Sequence, residues 1–349
     1  MRDMTRMKDL LHRLTESSGP SGNENEVRAL IHEEIRDLVD DIRVDVMGNL
    51  LATRKGPGQH IMLSAHMDEI GIVVTHVDDK GFLRFGGVGG LDPVTLIGQR
   101  VAFANGTLGV IGSEKRESAR EEVKIERLYL DIGAKDKNAA LHSANVGDMG
   151  TFVREFREVD GRFVAKSMDD RVGCALLIES LREVGNLPNS VTCAFTVQEE
   201  VGLRGATTSA FQLAPDLALA VDVTTTGDTP EAHRMPVSLG AGPAIKIKDR
   251  GMLTNPAVKK LLIDTARAQG IPFQLEVLDL GTTDASAIQV SRAGVLTGAI
   301  SIPCRYVHST SEMVDPADVD GALALIQAII SKELQLPTPQ RTKGGASQP

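Results

Sequence analysis

The apolar and polar positions change rhythm twice along the chain. Leu10, Leu11 and Leu14 recur at helical spacing, Ser17–Gly22 breaks the pattern, and Val27, Leu30, Ile31 and Ile35 resume it. That predicts two helices around a turn. Strands follow at Ile42–Met47 and Leu50–Thr53, and then Ile61–Ala65, a nearly continuous apolar run. Such runs suit a strand buried on both faces of an α/β sheet. From Gly71 to Val164 the texture is different. Ile72–Val77, Phe82–Phe85, Arg100–Phe103, Thr107–Ile111, Arg127–Asp131 and Met149–Phe156 are short β-prone stretches, with hairpin signals at Asp79-Lys80-Gly81 and Ala104-Asn105-Gly106. After Ala165 the α/β rhythm returns. Helices are expected at Asp170–Val184, Pro256–Gln269 and Pro316–Leu334, and strands at Val191–Val197, Leu217–Val221, Gln274–Val277 and Leu296–Ile302. The expected fold is a three-layer α/β domain with a mixed central sheet, built from residues 1–70 and 165–335. A small all-β module is inserted at 71–164, and 336–349 is expected to form a disordered tail.

Composition changes this picture little. The chain has 349 residues, is 42% hydrophobic and carries a formal net charge of −9. An acidic balance without clustered Lys and Arg argues against nucleic acid as a partner. The N-terminus shows no secretory h-region, and no run of about 18 apolar residues predicts a membrane span. Cys174, Cys193 and Cys304 sit apart in apolar runs, which reads as buried thiols in the reducing cytoplasm. The charge run Ser113–Lys124 reads as a solvated loop.

Chemistry enters where the buried strands end. Ile61–Ala65 runs into His66, Asp68 and Glu69; Val191–Val197 into Glu199 and Glu200; Leu217–Val221 into Asp222; and Leu296–Ile302 leads on to His308. Asp169-Asp170 precedes a helix. Ligands bind open α/β sheets at the carboxyl ends of their strands. Each residue alone has a plainer reading: Asp169-Asp170 as a helix N-cap pair, Glu199-Glu200 as a solvated turn, His66 as a satisfied structural histidine. Together they form a nitrogen and oxygen donor set suited to Zn2+, Co2+ or Mn2+, and divalent cations relieve the repulsion among crowded carboxylates.

The segments Ser64–Gly71, Met168–Gly173, Gln198–Ala206, Val221–Val223, Gly281–Ala285 and Tyr306–Glu312 resemble, in the same order, motifs of the M42 metallo-aminopeptidases. That family includes the tetrahedral TET peptidases and proteins once labelled glutamyl aminopeptidase or endoglucanase. The resemblance implies that His66 binds one metal and His308 the other, that Asp169 bridges them, and that Glu200 and Asp222 complete one sphere each. It implies Glu199 as general base, Asp68 as the residue orienting His66, and a cis Asp169–Asp170 peptide. By sequence either aspartate of the pair suits the bridge; the family motif favours Asp169. The cofactor expected is two divalent metal ions per subunit, Zn2+ or Co2+. The resemblance implies that the inserted β module is the family's dimerisation domain and that members commonly assemble as dimers that build a hollow tetrahedral dodecamer.

These expectations converge on a di-metal aminopeptidase that hydrolyses peptides with a free N-terminus by metal-activated water, Glu199 carrying the proton. Ser309, beside His308, reads as a loop residue rather than a nucleophile. A glycosidase needs an uncommitted carboxylate pair flanking the sugar, whereas these carboxylates read as ligands. A non-catalytic metal scaffold has no use for Glu199. Loops at Arg250–Asn255 and Gly281–Ala285 are expected to line the pocket for the substrate's first side chain.

Overall fold

The computed structural model describes residues 4–115, 122–182, 184–232 and 234–334. The segment 116–121 of the charge run and the tail from 335 lie outside the described residues.

The chain opens with α1 (Thr5–Glu16) and α2 (Asn25–Ile35), which bury Leu10, Leu11, Leu14, Val27, Ile31 and Ile35 as their spacing predicts. Then come β1 (Asp41–Val44), β2 (Leu50–Arg54) and β3 (His60–His66). The next six strands close into a barrel: β4 (Gly71–Val77), β5 (Leu83–Val88), β6 (Arg100–Phe103), β7 (Leu108–Ser113), β8 (Leu128–Asp131) and β9 (Met149–Phe152). Two short helices, α3 (Pro93–Leu96) and α4 (Lys137–Leu141), sit in its connections. The barrel has its own core of Ile72, Val74, Leu83, Phe85, Val101, Ile111, Leu128, Leu130 and Phe152.

The remainder rejoins the first three strands. It comprises β10 (Arg157–Val159), β11 (Arg162–Ala165), α5 (Met168–Arg182), β12 (Ser190–Thr196), α6 (Arg204–Leu213), β13 (Leu217–Thr224), β14 (Ala244–Lys248), α7 (Pro256–Ala268), β15 (Gln274–Val277), α8 (Asp284–Gln289), β16 (Leu296–Arg305), β17 (Glu312–Val314) and α9 (Pro316–Ile330). The large sheet has 11 strands and runs β1-β2-β12-β3-β13-β16-β17-β11-β10, with β14 and β15 branching from β16. β12, β3, β13 and β16 are parallel, in a register that aligns Thr196 with His66 and Asp222 with Ser301. Their carboxyl ends therefore form one edge.

Alternation along these strands divides the core between two faces. Ile61, Leu63, Phe195, Leu219 and Val221 point toward α1, α2, α5, α7 and α9. Met62, Ala194 and Ala218 meet Ala206, Ala210 and Ile288 of α6 and α8. This is the expected three-layer arrangement. Helix α5 is buried from Met168 to Leu181, because it lies between the sheet and α1, α2 and α9.

Residues 157–164, expected within the inserted module, depart from that reading. β10 and β11 pair with each other and with β17 in the large sheet, and the barrel ends at Phe152. Four further elements outside the barrel and its connections carried no expectation. α6 contains two threonines, α8 has six residues and β17 three, so none offers a long period. β14 turns Lys246 inward, which breaks its apolar alternation; the ammonium is matched there by the buried Glu276 carboxylate of β15.

Asn49 joins the sheet to the turn after β12. Its Oδ1 accepts from Val197 N–H at 3.0 Å, and its amide nitrogen donates to Asp45 Oδ2 at 2.7 Å and to Gly205 O at 3.1 Å. The residue is fully buried. Asn49→Ala strips these partners from buried backbone groups and is expected to cost about 2–3 kcal/mol in denaturant unfolding. A loss under about 0.5 kcal/mol would mean that water replaces the amide.

Candidate metal centre

His66 closes β3, and its side chain is only 2% exposed. Asp169 and Asp170 enter α5 through non-helical backbone, and the peptide bond between them is cis. Glu199 and Glu200 occupy the turn after β12, where Gln198 and Leu203 have positive φ. Asp222 lies two residues before the end of β13. His308 sits in the turn between β16 and β17, where it and Tyr306 both have φ of 62°. The loop ends of four separate strands thus converge.

The Asp169 carboxylate stands between the two imidazoles. Its Oδ1 is 2.9 Å from His66 Nε2 and its Oδ2 is 3.4 Å from His308 Nε2. Glu200 Oε2 is 3.2 Å from His308 Nε2, Asp222 Oδ1 is 3.8 Å from His66 Nε2, and Glu199 Oε2 is 4.0 Å from the same nitrogen. The structure therefore brings His66, Asp169, Glu199, Glu200, Asp222 and His308 into one cluster. His66, Asp169 and Glu200 offer donor atoms close enough together to share one ion; so do His66, Asp170 and Asp222. Asp170 has other commitments: its Oδ2 accepts from His66 N–H at 3.2 Å and its Oδ1 from Gly173 N–H at 2.9 Å.

Asp68 makes contacts beyond the His66 imidazole. His66 Nδ1 lies 3.2 Å from the Asp68 carbonyl and 3.6 Å from its carboxylate. The carboxylate also accepts the backbone N–H of Glu199 at 3.0 Å and of Glu200 at 3.2 Å, and the Ser21 hydroxyl at 2.6 Å. Two residues without an expected role belong to the site as well. Glu312 accepts from the backbone N–H groups of Asp169 and His308. Asp284, at the start of α8, accepts from the Thr196 hydroxyl at 2.6 Å. Both lay inside motifs quoted from the sequence, yet neither stands at the end of a buried apolar run.

The barrel also touches the centre. A Cβ on Gly90 would come within 2.7 Å of His308 Nδ1, and one on Gly89, whose φ is +81°, within 3.1 Å of Glu200 Oε2. Glycine there lets the turn after β5 pack on both side chains.

Charge in the cluster is unbalanced. Burial pushes the carboxyls of Glu200, Glu199 and Asp222 above their ordinary range, and neighbouring carboxylates add to the effect. Burial also lifts Asp284 to about 6. Burial alone would lower His308, but its contacts with Asp169 and Glu200 outweigh that and push it up to about 12. His66 is raised well above its usual value in the same way, by Asp169 and Asp68. Asp169, flanked by both imidazoles, is held below the carboxylate range despite its burial. Protons fill the role that divalent cations would fill for a set of two imidazoles and several carboxylates, and the donors fit such ions.

A sequence profile described as M42 glutamyl aminopeptidase matches residues 48–325. The chain belongs to the M42 peptidase family. This M42 protein is 48% identical over 320 residues to a relative from Acetivibrio thermocellus, an alignment covering 92% of this chain and 97% of the relative. It is 33% identical to the lysyl aminopeptidase of Pyrococcus furiosus, over 93% of this chain and 96% of that one. Among solved structures it superposes on the aminopeptidase APDkam598 of Desulfurococcus kamchatkensis with TM-score 0.90 and 40% identity, over 94% and 95% of the two chains. The TET1 peptidase of Pyrococcus horikoshii, which can assemble into a tetrahedron or a large octahedral shell, matches with TM-score 0.84 and 35% identity, over 93% and 99%. The M42 protein is therefore an aminopeptidase, a hydrolase of a metal-dependent family.

In the cation-free protein the raised groups hold their protons more tightly than free carboxyls and imidazoles do. A divalent cation must displace them, so binding releases protons and tightens as pH rises. Calorimetric titration with Zn2+ between pH 6 and 8 is expected to show affinity gaining about tenfold per pH unit for each proton released. Affinity independent of pH would contradict this charge assignment.

Proposed function

We propose that the chain removes N-terminal residues from peptides using two divalent cations held by His66, Asp169, Glu200, Asp222 and His308, with Glu199 as general base. The observation that carries this reading is the Asp169 carboxylate, one oxygen toward each imidazole. Such a carboxylate is suited to bridge two ions. Glu200, beside His308, and Asp222, beside His66, then serve one ion each. Bound at this site, a pair of Zn2+ or Co2+ ions would acidify a water and polarise the scissile carbonyl.

The protein's own groups carry the proton. Glu199 lies on the His66 side of the cluster, and burial raises its affinity for a proton, as suits a group that must accept one. It takes the proton of the attacking water as the new C–O bond forms. It returns that proton to the peptide nitrogen as the C–N bond breaks, leaving a free amino acid and a peptide shorter by one residue. The cycle needs no acyl-enzyme. Asp68 supports it by holding the backbone of both glutamates and bordering His66.

Substrates are peptides with a free N-terminus. Family membership does not transfer side-chain preference, since the matched profile is described as glutamyl and a matched relative as lysyl. The loops around Arg250 and Gly281–Ala285 are the proposed pocket for that side chain.

The same reading makes the chain a cytoplasmic homo-oligomer that pairs through its barrel, with dimers building a dodecamer. Three buried free cysteines accord with a reducing compartment. No helix among the described residues is long and apolar enough to cross a membrane. Leu108 and Val110 alternate outward on β7, with Val94 and Ile97 exposed nearby, an apolar strip suited to a second copy.

Glu199→Gln is expected to retain both cations while kcat falls by about 10^2–10^4-fold; a near wild-type rate would refute the base assignment. Dialysis against a chelator is expected to abolish hydrolysis of aminoacyl-p-nitroanilides, and added Zn2+ or Co2+ to restore it. Full activity in the metal-free protein would remove the cations from the mechanism.

A further inference from the structure

Glu312 opens β17 and is 1% exposed. Antiparallel pairing places it opposite Ala165 of β11, the strand that leads to Asp169, while β17 also pairs with β16, the strand that leads to His308. The carboxylate uses both neighbours. Its Oε2 accepts from the Asp169 N–H at 3.0 Å, and its Oε1 accepts from the His308 N–H at 2.8 Å. No other hydrogen bond to it is seen among the described residues.

We propose that Glu312 is the positioning residue that fixes Asp169 and His308 relative to each other, and so sets the geometry of the second cation site. This rests on the two-cation reading above. Two features favour it over a purely structural role. First, the two anchored residues are those whose side chains meet across the site, at 3.4 Å. Second, His308 holds φ of 62°, a conformation that non-glycine residues adopt only when their surroundings impose it. A carboxylate is the group that can accept two N–H donors at once through separate oxygens. An amide of the same shape offers one acceptor and turns a donor toward the other N–H.

The test uses the full chain and Glu312→Gln, with Glu312→Asp as a second variant that keeps both acceptors on a shorter arm. Hydrogen exchange resolved to single amides is the readout that does not depend on activity. In Glu312→Gln, exchange at Asp169 and His308 is expected to quicken at least tenfold, while Glu199 and Glu200, held by Asp68, keep their wild-type rates. Titration with Co2+ is expected to show one of two sites weakened about 10–100-fold, as for other groups that orient ligands. kcat falls while KM changes little. Glu312→Asp falls between, and decides the matter if the glutamine variant does not fold. Unchanged exchange and Co2+ affinity in these variants would overturn the proposal, and so would acceleration spread equally over all four amides. If the wild-type chain binds no Co2+, the two-cation reading fails instead, and the exchange comparison still judges Glu312.

Discussion

Asp68, Asp170 and Glu312 each spend their carboxylate oxygens on backbone N–H groups, and the rest of the centre depends on those bonds. Glu312 ties Asp169 to His308, Asp170 ties the residue after Asp169 to His66, and Asp68, two residues past His66, ties the Glu199–Glu200 turn. The carriers of five of the six proposed functional side chains are linked in sequence by these three residues. The sixth, Asp222, sits within β13 and is held by the ladder of the sheet. A buried hydrogen bond contributes about 0.5–1.5 kcal/mol net, and these bonds offset part of the cost of burying each carboxyl group. These bonds restrain turns that lack the ladder of the strands beside them.

That rigidity holds together groups that repel. Glu199, Glu200, Asp222 and Asp284 share a buried edge, and burial together with mutual repulsion raises their proton affinity. Two imidazoles supply too little positive charge for the set. The backbone bonds limit how far these turns can move apart, and the crowded carboxylates suit the site to the divalent cations proposed for it. The barrel contributes here as well, since the turn at Gly89 and Gly90 covers Glu200 and His308 on the side the sheet leaves open.

Much of this was legible in the sequence because parallel strands buried on both faces leave long apolar runs, and a polar residue at the end of such a run stands out. His66, Glu199, Glu200 and Asp222 were visible for that reason. His308, beyond the end of its strand, and Asp169-Asp170, before a helix, joined the same pattern less directly, and the roles expected of all six residues came from resemblance to a family. Lys246 and Glu276 hid β14, because each appears misplaced until the other is known to face it. β10 and β11 resembled the barrel strands they follow in sequence; only their pairing with β17 assigns them to the large sheet. Glu312 stood inside a quoted motif, yet its role was not legible, because one of the two N–H groups it accepts lies 143 residues away.

The same geometry sends two adjacent glutamates to different parts of the cluster. Successive residues in a turn send their side chains in divergent directions, and the Asp68 carboxylate fixes both peptide N–H groups of the pair. Glu200 is thereby directed to His308, at 3.2 Å, and Glu199 toward His66, at 4.0 Å. The shorter reach suits an oxygen shared with a ligand imidazole. The longer one leaves Glu199 outside the tightest contacts yet close enough to exchange a proton with a water at the centre. Position and reach, rather than residue type, thus distinguish the proposed ligand from the proposed base.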